Sequence, residues 1–197
     1  TYAGSIWAGR GSPSPYESTL TRNLLESAWK HVYAGLNLDK IAPASDRSKF
    51  ELAFKDPAPF TLDNIRATFG KYIADPRTHI LRGLAEAFAK LDPSFKSHDK
   101  MKIGVKGLPK RIILSSVTGY GSYGVERLRD TINALRVYNG QPHAEWSEIN
   151  ALLEQTRGGE DGEMDGMKLR RFSNGNGHLF FGPEVLRQVN EALAEYY

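Results

Sequence analysis

The sequence predicts an α+β fold: a helix-rich body carrying a small antiparallel or mixed sheet and a C-terminal β-hairpin. Three observations lead there. Apolar residues recur three and four positions apart in several long windows, the period of a helix with one buried face. The segment from Ile112 to Val117 is short, apolar and partly β-branched, and a glycine-rich turn follows it, as in a buried strand. Two further short runs, Lys168–Phe172 and His178–Phe181, flank Ser173-Asn174-Gly175-Asn176-Gly177, and Asn-Gly is a strong hairpin-turn signal.

Residues 1–17 are rich in Gly, Ser and Pro and read as an irregular arm, with Trp7 and Tyr16 as anchors onto the domain surface. The chain starts without methionine, so this end fits a processed terminus or a piece of a longer protein. Residues 18–197 read as a single α+β domain. Leu20, Leu24, Leu25, Ala28, Trp29, Val32 and Tyr33 mark a helix near 18–34 that Gly35 ends, with Trp29 in the core. A short helical piece is expected around Ser48–Phe54. Thr61 can cap a helix with Leu62, Ile65, Phe69, Tyr72 and Ile73 on one face. Asp75 can cap the next, with Pro76 in its first turn and Ile80, Leu81, Leu84, Ala85, Phe88 and Leu91 inward. The segment 102–106 can add a strand before the one at 111–117. Val125, Leu128, Ile132, Leu135 and Tyr138 form another helical face, and Pro142 opens a helix with Trp146, Ile149, Leu152 and Leu153 inward. Residues 158–166 carry Glu160, Asp161, Glu163 and Asp165 among glycines and read as an acidic flexible loop; the ligand order of a calcium loop is missing. Pro183 opens the last helix.

The 197 residues hold no cysteine and five scattered histidines, so no disulfide framework, thiolate metal site or other metal centre is expected. No cofactor is implied. No apolar run reaches membrane-spanning length, no membrane partner is expected, and the composition fits the cytoplasm. The net charge of +3 is modest, so only local clustering of cations argues for nucleic acid.

That clustering is densest between Lys96 and Gly124. Lys96, Lys100, Lys102, Lys106, Lys110 and Arg111 precede the strand, and Gly119, Gly121 and Gly124 follow it as G-x-G-x-x-G before a helix. Such an order can aim backbone N–H groups at a phosphate. A dinucleotide site also needs a second parallel strand and an acidic residue about 20 positions on. The helix here leads into another helix, which excludes it. The glycines then read either as a phosphate nest or as a turn that needs positive φ. Arg77, Thr78 and His79 open a helix where the dipole disfavours cations. Either an anion faces them, or Asp75 and nearby carboxylates offset them. Arg129, Asn133 and Arg136 share one helix face, either solvated or extending a basic surface. On the hairpin, Leu169, Phe172, Leu179 and Phe181 offer an apolar face, and Lys168, Arg170, Arg171 and His178 a basic one. Cations interleaved with aromatics suit backbone contact and base stacking, although an ordinary half-buried hairpin has the same pattern.

The run TFGKYIADPRTHILRGLAEAFAKLDPSFKSHDKMKIGVKGLPKRIIL, followed by ALRVYNG and RRFSNGNGHLFF, resembles a bacterial and phage family, domain of unknown function forty-nine forty-two, from about Thr61 to Asn190. The resemblance implies a DNA-modification or mobile-element setting, because similar domains are sometimes attached to DNA methyltransferase domains. The Asn-Pro or Asp-Pro-Pro-Tyr type motif of amino-methylating DNA enzymes is missing from this chain.

These observations support a nucleic-acid-binding recognition or accessory module, with DNA as the expected ligand. Lys102, Lys106, Lys110, Arg111, Gly119 and Gly121 would hold the backbone, and Arg77, His79, Arg170, Asn174, Asn176 and His178 would lie near the bases. A second reading is an enzyme acting on a phosphate-containing substrate, with His79, His98 or His178 as general acid or base and Asp92 or Asp99 orienting a histidine or holding Mg²⁺. A third is a protein-binding inhibitor from a mobile element, working through the acidic loop. A methyltransferase or another protein is a possible partner under any of them.

Overall fold

The computed structural model describes residues 15–89, 107–119 and 121–197. They fall into two compact units. The first holds the described residues up to Asp39 together with Ser45–Ala74; the second holds Lys40–Ala44 and the described residues from Asp75 to Tyr197. Of the irregular arm expected over 1–17, residues 1–14 lie outside the described residues and 15–17 are helical; the segment 102–106 and the cations Lys96, Lys100, Lys102 and Lys106 also lie outside them, as do His98, Asp92 and Asp99.

Helices α1 (Pro15–Gly35), α2 (Ala44–Ala53) and α3 (Leu62–Ala74) make up most of the first unit. Its core is aromatic. Trp29 meets Phe60 and Phe69 edge-on at 5.7 and 5.5 Å, and Tyr33 meets Phe50 and Phe54 at 5.6 and 5.7 Å. Trp29 is buried as expected, and its Nε1 donates to Ala58 O at 2.9 Å. The buried Asp46 carboxylate accepts from Tyr72 Oη at 2.8 Å and lies 3.0 Å from Lys49 Nζ. Thr61 caps α3 through Asn64 N at 3.2 Å. Three expectations fail here. Tyr16 lies within α1 and is exposed rather than anchored. Leu20 and Leu24 are exposed on the same helix, and Leu62 and Ile73 are exposed at the two ends of α3.

The second unit holds α4 (Pro76–Ala89), β1 (Arg111–Leu114), α5 (Tyr123–Tyr138), α6 (Trp146–Gln155), β2 (Asp161–Met164), β3 (Met167–Arg171), β4 (Gly177–Phe181) and α7 (Pro183–Tyr196). The four strands form one antiparallel sheet in the order β1-β4-β3-β2. The fold is α+β, as the periodicities indicate. Leu81, Leu84, Ala85 and Phe88 of α4 pack with Val125, Leu128, Ile132 and Leu135 of α5, with Val189 and Leu193 of α7, and with the inner sheet residues Ile112, Leu114, Met167, Leu169, Leu179 and Phe181. Asp75 caps α4 through Thr78 N at 3.1 Å, and Pro183 opens α7 behind Gly182.

Several boundaries differ from the sequence reading. The strand expected over 111–117 ends at Leu114, where the chain turns through Ser116 at φ 58°, and the helix expected around Ser48–Phe54 spans Ala44–Ala53. Helix α6 begins at Trp146, not at Pro142. Glu145 is its N-cap and Glu148 closes a capping box, accepting from Glu145 N at 2.8 Å. The acidic stretch read as a loop contains strand β2. It turns into β3 through Asp165 (φ 50°) and Gly166 (φ 72°), with Met164 opposite Met167. Two consecutive positive φ angles on Asp-Gly make a two-residue hairpin turn that matches strand twist.

Candidate functional site

Strand alternation sorts the sheet residues into an inner set and an outer set. Arg111 and Ile113 of β1, His178 and Phe180 of β4, Lys168 and Arg170 of β3, and Asp161 and Glu163 of β2 share the outer face. Register arranges them in two rows. One runs Arg111, Phe180, Lys168, Glu163; the other runs Ile113, His178, Arg170, Asp161. All are half-buried or exposed, whereas their alternate neighbours Ile112, Leu169 and Leu179 are fully buried.

Aromatic rings lie in the middle of this face. The rings of His178 and Phe180 are 6.2 Å apart, and Phe172, at the hairpin turn, sits 4.2 Å from His178. Phe172 was expected on the apolar inner face, but it is 41% exposed; Met167 takes the inner position at the other end of β3. The Arg111 guanidinium lies 5.9 Å from the Phe180 ring centre, within cation–π range. Partial burial, with Arg111 and Arg170 nearby, holds the His178 imidazole below its ordinary pKa and so favours the neutral ring.

The far side of the face is salt-bridged. Arg170 grips Asp161 through Nε–Oδ1 at 2.5 Å and Nη2–Oδ2 at 2.9 Å, and Lys168 Nζ lies 3.4 Å from Asp161 and 3.5 Å from Glu163. Hydrogen bonding from Arg170 pulls the Asp161 carboxyl below its usual range. Thus β2 partly neutralises the cations of β3. Lys110 is exposed at the other edge, just before β1. An open depression of about 730 Å³ lies along the end of the face near the β2–β3 turn, lined by Glu163, Lys168 and Phe180 among others.

The other sequence-derived candidates have structural surroundings. Arg77 pairs with Glu195 of α7 at 2.5 and 2.6 Å, so a carboxylate far along the chain offsets the basic first turn of α4. His79 is buried in α4, whereas His178 lies on β4. Asn174 and Asn176 build the hairpin turn: Asn174 Oδ1 accepts from Asn176 N at 3.1 Å, and Asn176 O accepts from Phe172 N at 2.9 Å. That turn is tied to the loop after β1, where Val117 N donates to Gly175 O at 2.7 Å.

The G-x-G-x-x-G segment folds back on itself. Gly124 N donates to Ser116 O at 3.2 Å, and Val125 N and Glu126 N donate to Ser122 O at 3.0 and 3.1 Å. A Cβ on Gly124 would meet Ser115 O at 2.1 Å, so close approach of helix to loop requires glycine there. Gly121 has φ 75° and open space, and Gly119 needs no special φ.

Three arginines of the hairpin and α5 are engaged by neighbouring elements, Arg136 buried and Arg129 and Arg171 half-buried. Arg171, expected on the basic face, points inward and donates to Thr156 Oγ1 at 2.6 Å and Leu153 O at 3.0 Å, tying β3 to the end of α6. Arg136 donates to Asp165 at 2.6 Å and to both Glu148 oxygens at 3.0 and 2.7 Å. Hydrogen bonds from Arg136 hold the Glu148 carboxyl down to about 2. Arg129 lies over Trp146 at 4.4 Å. The face of α5 that reads as solvated or basic is therefore a packing surface. Among the described residues no acidic, histidine or cysteine group is arranged to hold a metal ion, and no helix is long and apolar enough to cross a membrane.

Among the described residues of the second unit, a four-stranded antiparallel sheet packs helices on its inner face and carries half-buried and exposed aromatic and cationic residues on its outer face. The chain belongs to the family described as a domain of unknown function (DUF4942), whose model matches residues 21–197. No curated protein and no solved structure matches the chain.

Proposed function

We propose that this domain is a nucleic-acid-binding recognition or accessory module, with DNA as the first ligand to test. One observation carries the proposal: the outer sheet face sets Phe180, His178 and Phe172 beside Arg111, Lys168 and Arg170. Cations that track a phosphate backbone next to aromatic rings are the chemistry by which proteins hold nucleic acid. Lys110 and Arg111 form the cationic edge, and the residue opposite Arg111 in the strand register is Phe180. The DNA-modification setting implied by the sequence resemblance favours the same ligand.

Fluorescence-anisotropy titration of labelled DNA at two salt concentrations tests the proposal, with a Lys110→Glu, Arg111→Glu variant alongside. The wild type is expected to bind and to weaken steeply with salt, by about one power of salt concentration for each phosphate neutralised. The double variant is expected to lose binding while unfolding at the wild-type denaturant midpoint. Absence of binding at low salt rejects the proposal.

A further inference from the structure

We infer that the open sheet face takes single-stranded nucleic acid, with unpaired bases stacking on Phe180 and on the Phe172–His178 pair. This rests on the nucleic-acid reading above and narrows it to a ligand class.

Ring spacing carries the inference. His178 and Phe180 are two residues apart on one strand, so both project from the same side of β4, with centroids 6.2 Å apart and planes tilted by 59°. Bases in a duplex stack about 3.4 Å apart along each strand and hide their faces from the protein. Rings nearly twice that distance apart match bases that have been unstacked and splayed, as single strands are when aromatic side chains bind them. Phe172 extends the row at the hairpin turn, 4.2 Å from His178. Ile113, opposite His178, continues the apolar floor onto β1.

The cations flank this row. Arg111 is opposite Phe180 on one side and Lys168 on the other, so a strand lying across Phe180 meets a positive side chain at each edge. Arg170 is opposite His178 but is held by Asp161. A duplex could engage Lys110, Arg111 and Lys168 only through its phosphates, leaving the rings unused. The neutral state favoured for His178 leaves its ring as a stacking surface beside Phe180.

The test compares a labelled oligothymidine of about 12 nucleotides, within the usual range of single-strand site sizes, with a duplex of the same length. Wild type, Phe180→Ala, Phe180→Leu and Phe180→Trp are titrated at one low salt concentration. The single strand is expected to bind at least about tenfold tighter than the duplex. Loss of one stacked base by Phe180→Ala should weaken single-strand binding about 5- to 150-fold and leave duplex binding within about twofold. Phe180→Leu keeps apolar bulk without a π face and should behave like Phe180→Ala, whereas Phe180→Trp should retain wild-type affinity, which separates stacking from a folding defect. Equal binding of both ligands with no effect of Phe180→Ala, while Lys110→Glu, Arg111→Glu still abolishes binding, overturns the single-strand inference and leaves the nucleic-acid reading standing. Failure of both ligands to bind overturns both.

Discussion

The two faces of the sheet come from the same strands yet hold different kinds of residue. On the inner face Ile112, Leu169 and Leu179 stand in adjacent positions across β1, β4 and β3, all essentially without solvent contact, with helices packed over them. On the outer face the positions next to them are Arg111, Lys168 and Arg170, the rings of His178 and Phe180, and the aliphatic Ile113. Arg171 sharpens the contrast. It is a cation on the inner side, and it is tolerated because its guanidinium meets a hydroxyl and carbonyls at the end of α6. The difference teaches that charge on this chain has two uses. Arg136 and Arg171 tie elements together through hydrogen bonds, whereas Arg111 lies over the Phe180 ring on the outer face and Lys110 is exposed beside it.

The largest test of that contrast is Leu169→Ala. Truncating this fully buried side chain should cost about 2–5 kcal/mol, read as a lower midpoint in urea unfolding. Phe180→Ala, one strand over on the outer face, should shift the midpoint far less. Comparable losses would mean that the outer face is packed rather than open.

Next comes Arg136→Met. Its guanidinium side chain is 11% exposed while its partners Glu148 and Asp165 are 41% and 30% exposed. Water can therefore reach the stranded carboxylates, and the loss should be about 2 kcal/mol, below the range for a fully buried pair. The variant should also flatten the acid limb of the stability curve. Glu148 is held down to about 2 in the folded chain and titrates near 4.5 when unfolded. Its contribution is complete above pH 4.5 and is lost as pH falls from there toward 2. Urea midpoints across that window should converge for the two proteins at the acid end.

The smallest effect, and the most specific, concerns Asp161→Asn. It should leave the unfolding midpoint close to wild type, because an exposed ion pair contributes little. It should tighten DNA binding and steepen the logarithmic salt dependence by about one, since Arg170 becomes free to meet a phosphate. Unchanged affinity would place the β3 cations outside the ligand's path.

Much of this was legible from the residues. The spacing of Leu81, Leu84 and Phe88 and of Val125, Leu128 and Ile132 identified the buried faces of α4 and α5, and Asn174-Gly175 located the hairpin. Strand β2 was legible too, from Asp165-Gly166 between Met164 and Met167, but four carboxylates within six residues pointed to solvent. On β2, Asp161 and Glu163 have the β3 cations Arg170 and Lys168 opposite them, so acidic composition and strand geometry are compatible. Phe172 stands three residues from Leu169, so period-two alternation carries it with Lys168 and Arg170 to the outer face.

By itself the sequence determined the α+β class, the hairpin and most inward faces, because periodicity and turn chemistry act over a few residues. Only the tertiary structure decided which cations are already paired. Arg77 finds Glu195 across 118 residues, Arg136 finds Asp165 across 29, and Arg170 finds Asp161 across a strand register. Such pairings depend on how elements pack, and charge patterns read along the chain carry no record of that distance.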